Sequence, residues 1–209
     1  MPRTADPTDI PERLLAAGLD LFLRQGYNAT GVQALTDHAG VPKGSFYNHF
    51  TSKEAFAAAI VERYEQQMIR SWERMMATAP EAPMAAIRHV FAQMVSYHER
   101  KDCHAGCLIG NFAAEIALTS DACRQNLLVA QLGWRERLAG LVSAAQASGE
   151  IRSDIDATAL SALTWAAWEG ALLRMKVERT TAPLRESITL IFDQLARPAS
   201  SATPTSKKR

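Results

Sequence analysis

Apolar residues recur at intervals of three and four along almost the whole chain, and this property restricts the fold more than any other. Leu14, Leu15, Gly18, Leu19, Phe22 and Leu23 trace one helical face that ends at Gly26, a residue suited to a helix C-terminus. Pro42, Pro80, Pro83, Pro183 and Pro198 stand at joints, and the stretches between are rich in Ala, Leu, Met, Glu and Arg, which helices tolerate best. No alternating β-branched run exceeds a few positions, and no Asn-Gly or Asp-Gly pair offers a hairpin turn. The spacing predicts helices over 9–25, 31–38, 43–49, 53–78, 82–99, 106–117, 120–148, 156–178 and 184–196. The expected fold is all-α. Thr30 and Ser52 are expected to cap the second and fourth helices, and Asp154 and Asp156 to sit at the positive end of the eighth.

Composition narrows the class without naming it. With 209 residues, 47% of them hydrophobic, there is enough chain for a real core. A formal charge of +1 supplies no global basic field for nucleic acid or membrane. Three cysteines do not pair evenly and are too few for a disulfide-stapled domain. The opening MPRTADPTDIPERLL has charges and prolines where a signal peptide has an apolar core, and no stretch is apolar enough to span a membrane. A cytoplasmic protein is expected. The tail 198-PASSATPTSKKR-209 is too polar to order itself.

The block 31-GVQALTDHAGVPKGSFYNHF-50 is the most informative. Two short helices meet through Ala39-Gly40-Val41, with Gly40 making the turn and Leu35, Val41 and Phe46 sharing a core with Leu19 and Phe22. This pattern is a helix-turn-helix whose second helix would lie in a major groove. Lys43-Gly44-Ser45 would bring a cation, a small residue and free N–H groups towards phosphates and base edges. Tyr47, Asn48 and His49 follow on the next turn, and Lys53 stands ready to clamp the backbone. The competing reading is a packed helical corner, favoured by five basic against six acidic groups in residues 1–55.

The stretch GYNATGVQALTDHAGVPKGSFYNHFTSKEAF, Gly26 to Phe56, resembles the N-terminal domain of the TetR family of bacterial transcriptional repressors. The resemblance implies a three-helix DNA-binding domain over 1–52, a helical ligand-binding and dimerisation bundle over 53–197, and a disordered tail over 198–209. It carries DNA contacts to Gln33, Lys43, Gly44, Ser45, Tyr47, Asn48, His49 and Lys53. Gly31 departs from the pattern, since many members have a second Thr or Ser there. Two later stretches, 106-GCLIGNFAAEIA-117 and 165-WAAWEGALLRMKVERTTAPL-184, resemble a branch with a Gly-Cys-Leu-x-x-Asn motif and a late Trp-Glu-Gly helix. That branch includes repressors of acrylate metabolism and relatives controlling reductases that detoxify electrophiles. The implied protein is a homodimeric repressor, released from a double-stranded DNA operator by a small-molecule effector.

Cys107 is the residue to weigh in the second part. Placed in the first turn of a helix, with His98, Arg100, Lys101 and His104 nearby in sequence, it would be favoured as a thiolate sensor. The alternative is a small buried residue filling a contact. Asn111, one turn on, would bond either a polar effector or a backbone carbonyl. Trp72, Trp134, Trp165 and Trp168 are candidate pocket walls or plain core, and Glu169 and Arg174 would form an ion pair or touch a ligand. Cys103, His104, Cys107 and Cys123 invite a metal reading, but structural zinc asks for tighter pairs and four clear ligands. No metal and no cofactor are expected.

Two faces carry the dimer expectation: Leu160, Leu163, Thr164, Ala167, Gly170, Ala171 and Arg174 on one helix, and Ile188, Ile191, Phe192 and Leu195 on the last. A different class of function, a thiol-based redox protein or helical enzyme using Cys107, lacks any Ser-His-Asp order, phosphate loop or paired-carboxylate spacing. It also leaves residues 31–50 without a role.

Overall fold

The computed structural model describes residues 9–100 and 106–198. The polar tail and the metal candidates Cys103 and His104 lie outside the described residues. Those described form helices and no strand: α1 (Ile10–Gln25), α2 (Val32–Ala39), α3 (Lys43–His49), α4 (Lys53–Met76), α5 (Pro83–Arg100), α6 (Leu108–Glu115), α7 (Asp121–Ala147), α8 (Ala157–Glu178) and α9 (Ala182–Thr189), the last continuing as a π-helical turn, Leu190–Leu195.

Local chemistry sets most of the ends. Gly26 and Gly40 close α1 and α2 with φ of 84° and 64°, a region a side chain rarely enters. Ser52, Ser120 and Asp156 each accept a backbone N–H of the helix they open, at 3.0, 3.3 and 3.0 Å. Asp154 instead pairs with Arg152. Thr30 is a correction. Gly31 takes the extended cap position of α2, and the buried Thr30 hydroxyl turns back to donate to the Gly26 carbonyl at 2.7 Å. The sixth helix also starts later than its apolar run, at Leu108, so Cys107 is its cap residue.

A small three-helix unit, α1–α3, packs through Leu14, Phe22, Leu35, Val41 and Phe46, all buried. It rests on the first half of α4, where Phe56, Ala57, Ile60 and Val61 are buried. Gly18 is what lets α1 approach α4 so closely, because a Cβ there would lie 2.5 Å from Phe56 Cζ. Behind, α7 is the central rod. Its stripe Cys123, Leu127, Ala130, Trp134, Leu138, Val142 and Ala145 keeps one face against α4, α5, α6 and α8.

The expected dimer faces need correction. Leu160, Thr164 and Ala171, with Ile188, Ile191 and Phe192, are buried within the chain itself, because α8 packs against both α7 and α9. The apolar residues left exposed on this side are Leu163, Leu173 and Val177 of α8 and Leu190 and Leu195 after α9. Arg174 pairs with Glu178 and Glu186 rather than Glu169.

The seam at Gly18 gives a direct test of this packing. Gly18→Ala should cost about 1–3 kcal/mol by overpacking. In thermal unfolding that is a fall of roughly 2–12 °C for a chain of this size.

Candidate functional site

The prospective DNA-reading surface is built first by the turn. With Gly40 left-handed, Val41 N donates to Thr36 O at 3.0 Å, and α3 leaves the turn with Phe46 pointing inward. Lys43, Gly44, Tyr47, Asn48 and His49 are then exposed and Ser45 half-buried. Tyr47 is 58% exposed although it is a large aromatic, its ring meeting only the edge of Phe46 among neighbouring rings. Gln33, on α2, is also exposed and donates to Asp37 at 2.7 Å. Six of the eight predicted contacts are thus exposed and Ser45 is half-buried.

Lys53 does something else. Its Nζ donates to the Tyr27 carbonyl at 2.7 Å and lies 4.0 Å from the centre of the Tyr27 ring. Burial lowers its pKa. The Tyr27 hydroxyl donates to Glu54 at 3.3 Å, and burial with that carboxylate pushes the phenol up to about 12. In this geometry the ammonium is engaged before any phosphate arrives.

The reading unit is tied to the rest of the chain through α6. Phe112 packs edge-on against Phe22 at 5.2 Å and Tyr27 at 5.9 Å. Glu115, at the end of α6, accepts the Asn28 N–H at 2.7 Å, and any Cβ at position 26 would collide with its carboxylate. A carboxylate at a helix C-terminus opposes the macrodipole. That anomaly was the one sequence signal for Glu115, and it passed unused.

The other end of α6 borders a cavity of about 400 Å³ between α4, α5 and α7. Its walls include Tyr64, Met68, Trp72, Met75, Met94, Trp134, His98 and Cys107, with Arg74 and Arg100 also on the lining and no acidic side chain among the described residues. Cys107 and Trp134 therefore meet here as expected, and Trp72 with them. Trp168 does not line it: it is buried behind, against Phe91 at 5.3 Å and His98 at 6.3 Å. Asn111 also stands back, accepting from Lys176 Nζ at 2.9 Å. Trp165 stacks at a tilt on Trp134, 5.0 Å away, as core. Sequence reasoning missed Tyr64 and Lys176, which have no local signature.

Cys107 is not the thiolate that its neighbours in sequence suggested. Burial, followed by the negative Glu169 beside it, pushes its thiol well above the ordinary range. Tyr64 Oη approaches Sγ at 4.0 Å. Among the described residues no group of His, Cys, Asp and Glu side chains is arranged to hold a metal. No helix among them is long and apolar enough to cross a membrane.

An exposed recognition helix on a three-helix head, joined by a short helix to a bundle with a mostly apolar cavity, defines a ligand-responsive DNA-binding regulator. The chain belongs to the TetR family: residues 14–60 match the model of bacterial regulatory proteins of that family, and residues 83–191 the tetracyclin repressor-like C-terminal domain. It is 35% identical over 188 residues to the HTH-type transcriptional repressor DhaR of Mycobacterium sp. strain GP1, covering 90% of this chain and 93% of that one. The transcriptional regulator AcuR of Cereibacter sphaeroides is 36% identical over 198 residues, covering 91% and 90%. The crystal structure of a regulatory protein TetR from Rhodobacter sphaeroides superposes with a TM-score of 0.83 at 33% identity, covering 88% of this chain and 98% of that one. The protein is accordingly a DNA-binding transcriptional regulator and not an enzyme. Repressors of this family bind DNA operators and dimerise.

Close approach at α6 is open to a simple test. A Cβ on Gly110 would collide with Glu169 Oε2. Gly110→Ala should therefore push the Glu169 carboxylate aside at a net cost below about 1 kcal/mol, because Ala favours the helix over Gly, and Gly31→Ala should cost about 0.5–1 kcal/mol as a poorer helix cap in the same melting experiment.

Proposed function

We propose that this regulator is a cytoplasmic, homodimeric repressor whose hold on its operator is set by a small molecule in the cavity beside Cys107. Residues 1–52 act as the reading domain and 53–197 as the effector and dimerisation domain. The observation that carries the reading is α6, with Cys107 at its cavity end and Phe112 and Glu115 on the reading unit at the other. A ligand that favours a different seat for α6 changes the angle of the head, and with it the spacing of two recognition helices in a dimer. It can do so only by binding the released state better, and 1–3 kcal/mol is the usual scale of such coupling.

The effector class follows from the chemistry of the walls. An apolar, aromatic cavity with a thiol and two arginines suits a small electrophile or a short unsaturated acid. This agrees with the branch marked by the Gly-Cys-Leu-x-x-Asn motif, to which we assign the chain. Cys107 and Trp134 would contact the ligand directly, while Asn111 and Trp168 support the wall from behind. The dimer face is taken to be the exposed apolar row of α8, Leu163, Leu173 and Val177, together with Leu190.

On DNA, Lys43 and Tyr47 have separate tasks. Lys43→Ala should weaken binding to all sequences and reduce the slope of log K against log salt by about one. Tyr47→Ala should remove operator preference while circular dichroism stays unchanged, because the side chain is exposed. Lys53→Ala should chiefly lower the melting temperature, since its ammonium holds the Tyr27 loop.

The switch is tested by gel-shift titration with acrylate and acrylamide. The parent complex should dissociate, whereas Cys107→Ser should bind the operator normally and not be released at concentrations that dissociate the parent, because a ligand without differential affinity shifts nothing. Equal release of both proteins would make Cys107 a packing residue and remove this account of the effector.

A further inference from the structure

The surroundings of the Cys107 thiol contain more chemistry than a binding wall requires. Glu169 reaches from α8 to the start of α6, with Oε2 against Gly110 one turn from Cys107, and its charge is one of the causes that raise the thiol's pKa. Glu169 is half-buried, but its Oε1 is shielded from solvent and has no hydrogen-bond partner among the described residues. A buried carboxylate with an unsatisfied oxygen is costly, and apolar side chains could fill the same volume.

The chain goes to some length to keep it there. A Cβ on Gly110 would collide with Glu169 Oε2, and a Cβ on Gly106 with Lys176 Nζ. Lys176 is itself held by Asn111 at 2.9 Å. The run Gly106-Cys107-Leu108-Ile109-Gly110-Asn111 is thus shaped around two charged groups of α8, with Cys107 and Gly110 on the carboxylate. Packing alone would not call for this arrangement.

A protonated thiol is a poor nucleophile, so a reacting Cys107 must lose its proton to something within hydrogen-bond reach. Resting on the reading of Cys107 as the reacting group, we propose that Glu169 is its positioning residue and proton acceptor, serving addition to an α,β-unsaturated carbonyl compound in the cavity. Sγ bonds to the β-carbon while the C=C electron pair moves to the α-carbon. The S–H bond breaks and its proton passes to Glu169, which later releases it to solvent, while water in the open cavity supplies the proton taken up by the α-carbon. The product is a thioether and the balance needs no oxidant. Burial raises the Glu169 pKa, which makes it a better acceptor than an ordinary carboxylate. Once the thioether forms, position 107 has no proton to give, and Glu169 faces a bulkier, aprotic sulfur.

The test is the rate of Cys107 alkylation by acrylamide in the full chain, resolved by peptide mass spectrometry from about pH 5 to about pH 9, with Cys123 as internal reference. In the parent, the Cys107 rate should rise as Glu169 deprotonates and then stay level until the thiol's own range. Glu169→Gln should slow Cys107 by at least about tenfold near neutral pH and leave Cys123 unchanged, and Glu169→Asp should restore part of the rate. A Glu169→Gln rate equal to or above the parent's would overturn the proposal, since Glu169 would then only suppress the thiolate. So would a parent rate climbing tenfold per pH unit throughout, a result that depends on no variant. Both results leave Cys107 as the sensor, whereas an inert Cys107 in the parent would remove the sensor reading and this one together.

Discussion

Six aromatic rings fasten the reading head to the body of the protein. Phe22, Tyr27, Phe46, Phe50, Phe56 and Phe112 come from α1, α3, α4 and α6 and the loops at their ends, and each meets at least one other at 4.7–5.9 Å. Such pairs contribute about 0.5–1.5 kcal/mol each beyond the area they bury. Phe46 orients the recognition helix and Phe112 belongs to α6, so one cluster fixes both the reading surface and the element beneath it. Everything proposed for the switch depends on that shared core, because a soft junction would absorb a displacement of α6 instead of passing it to the head.

The two ends of α6 are held by different physics. At its start the Glu169 carboxylate and the Lys176 ammonium occupy the space that side chains at positions 110 and 106 would take. At its end a carboxylate grips a loop N–H at 2.7 Å across a glycine whose φ is 84°. Neither contact is apolar, and both are directional. A helix of eight residues is about 12 Å long, so whatever alters one end is felt at the other within two turns.

What could be read from the sequence was what is decided locally. Gly26, Gly40 and Ser52 end or start helices by their own backbone or side-chain chemistry, and they do so here. Periodicity marked the helices, and the match at 26–56 marked the reading surface. Thr30 failed because a one-residue change in where α2 begins gives the cap to Gly31. Lys53 was expected to reach the DNA backbone, and the partner it holds without DNA, the Tyr27 carbonyl, is set by how α4 meets the loop after α1. Cys107 looked like a thiolate from basic neighbours in sequence, yet burial outweighs them. Asn111 and Lys176 lie 65 positions apart, and no pattern in a single sequence joins them. The faces of α8 were correctly apolar, but periodicity does not say which side a neighbouring helix will take.

The inward turn of Lys53 has a consequence for life on a chromosome. It leaves α3, whose seven residues include one lysine and no arginine, with little charge to offer arbitrary DNA. Non-specific affinity comes almost wholly from such charge, and the genome presents about 10⁶–10⁹ competing sites. A reader this sparing of cations would lose less of itself to arbitrary DNA than one with a strongly basic recognition helix.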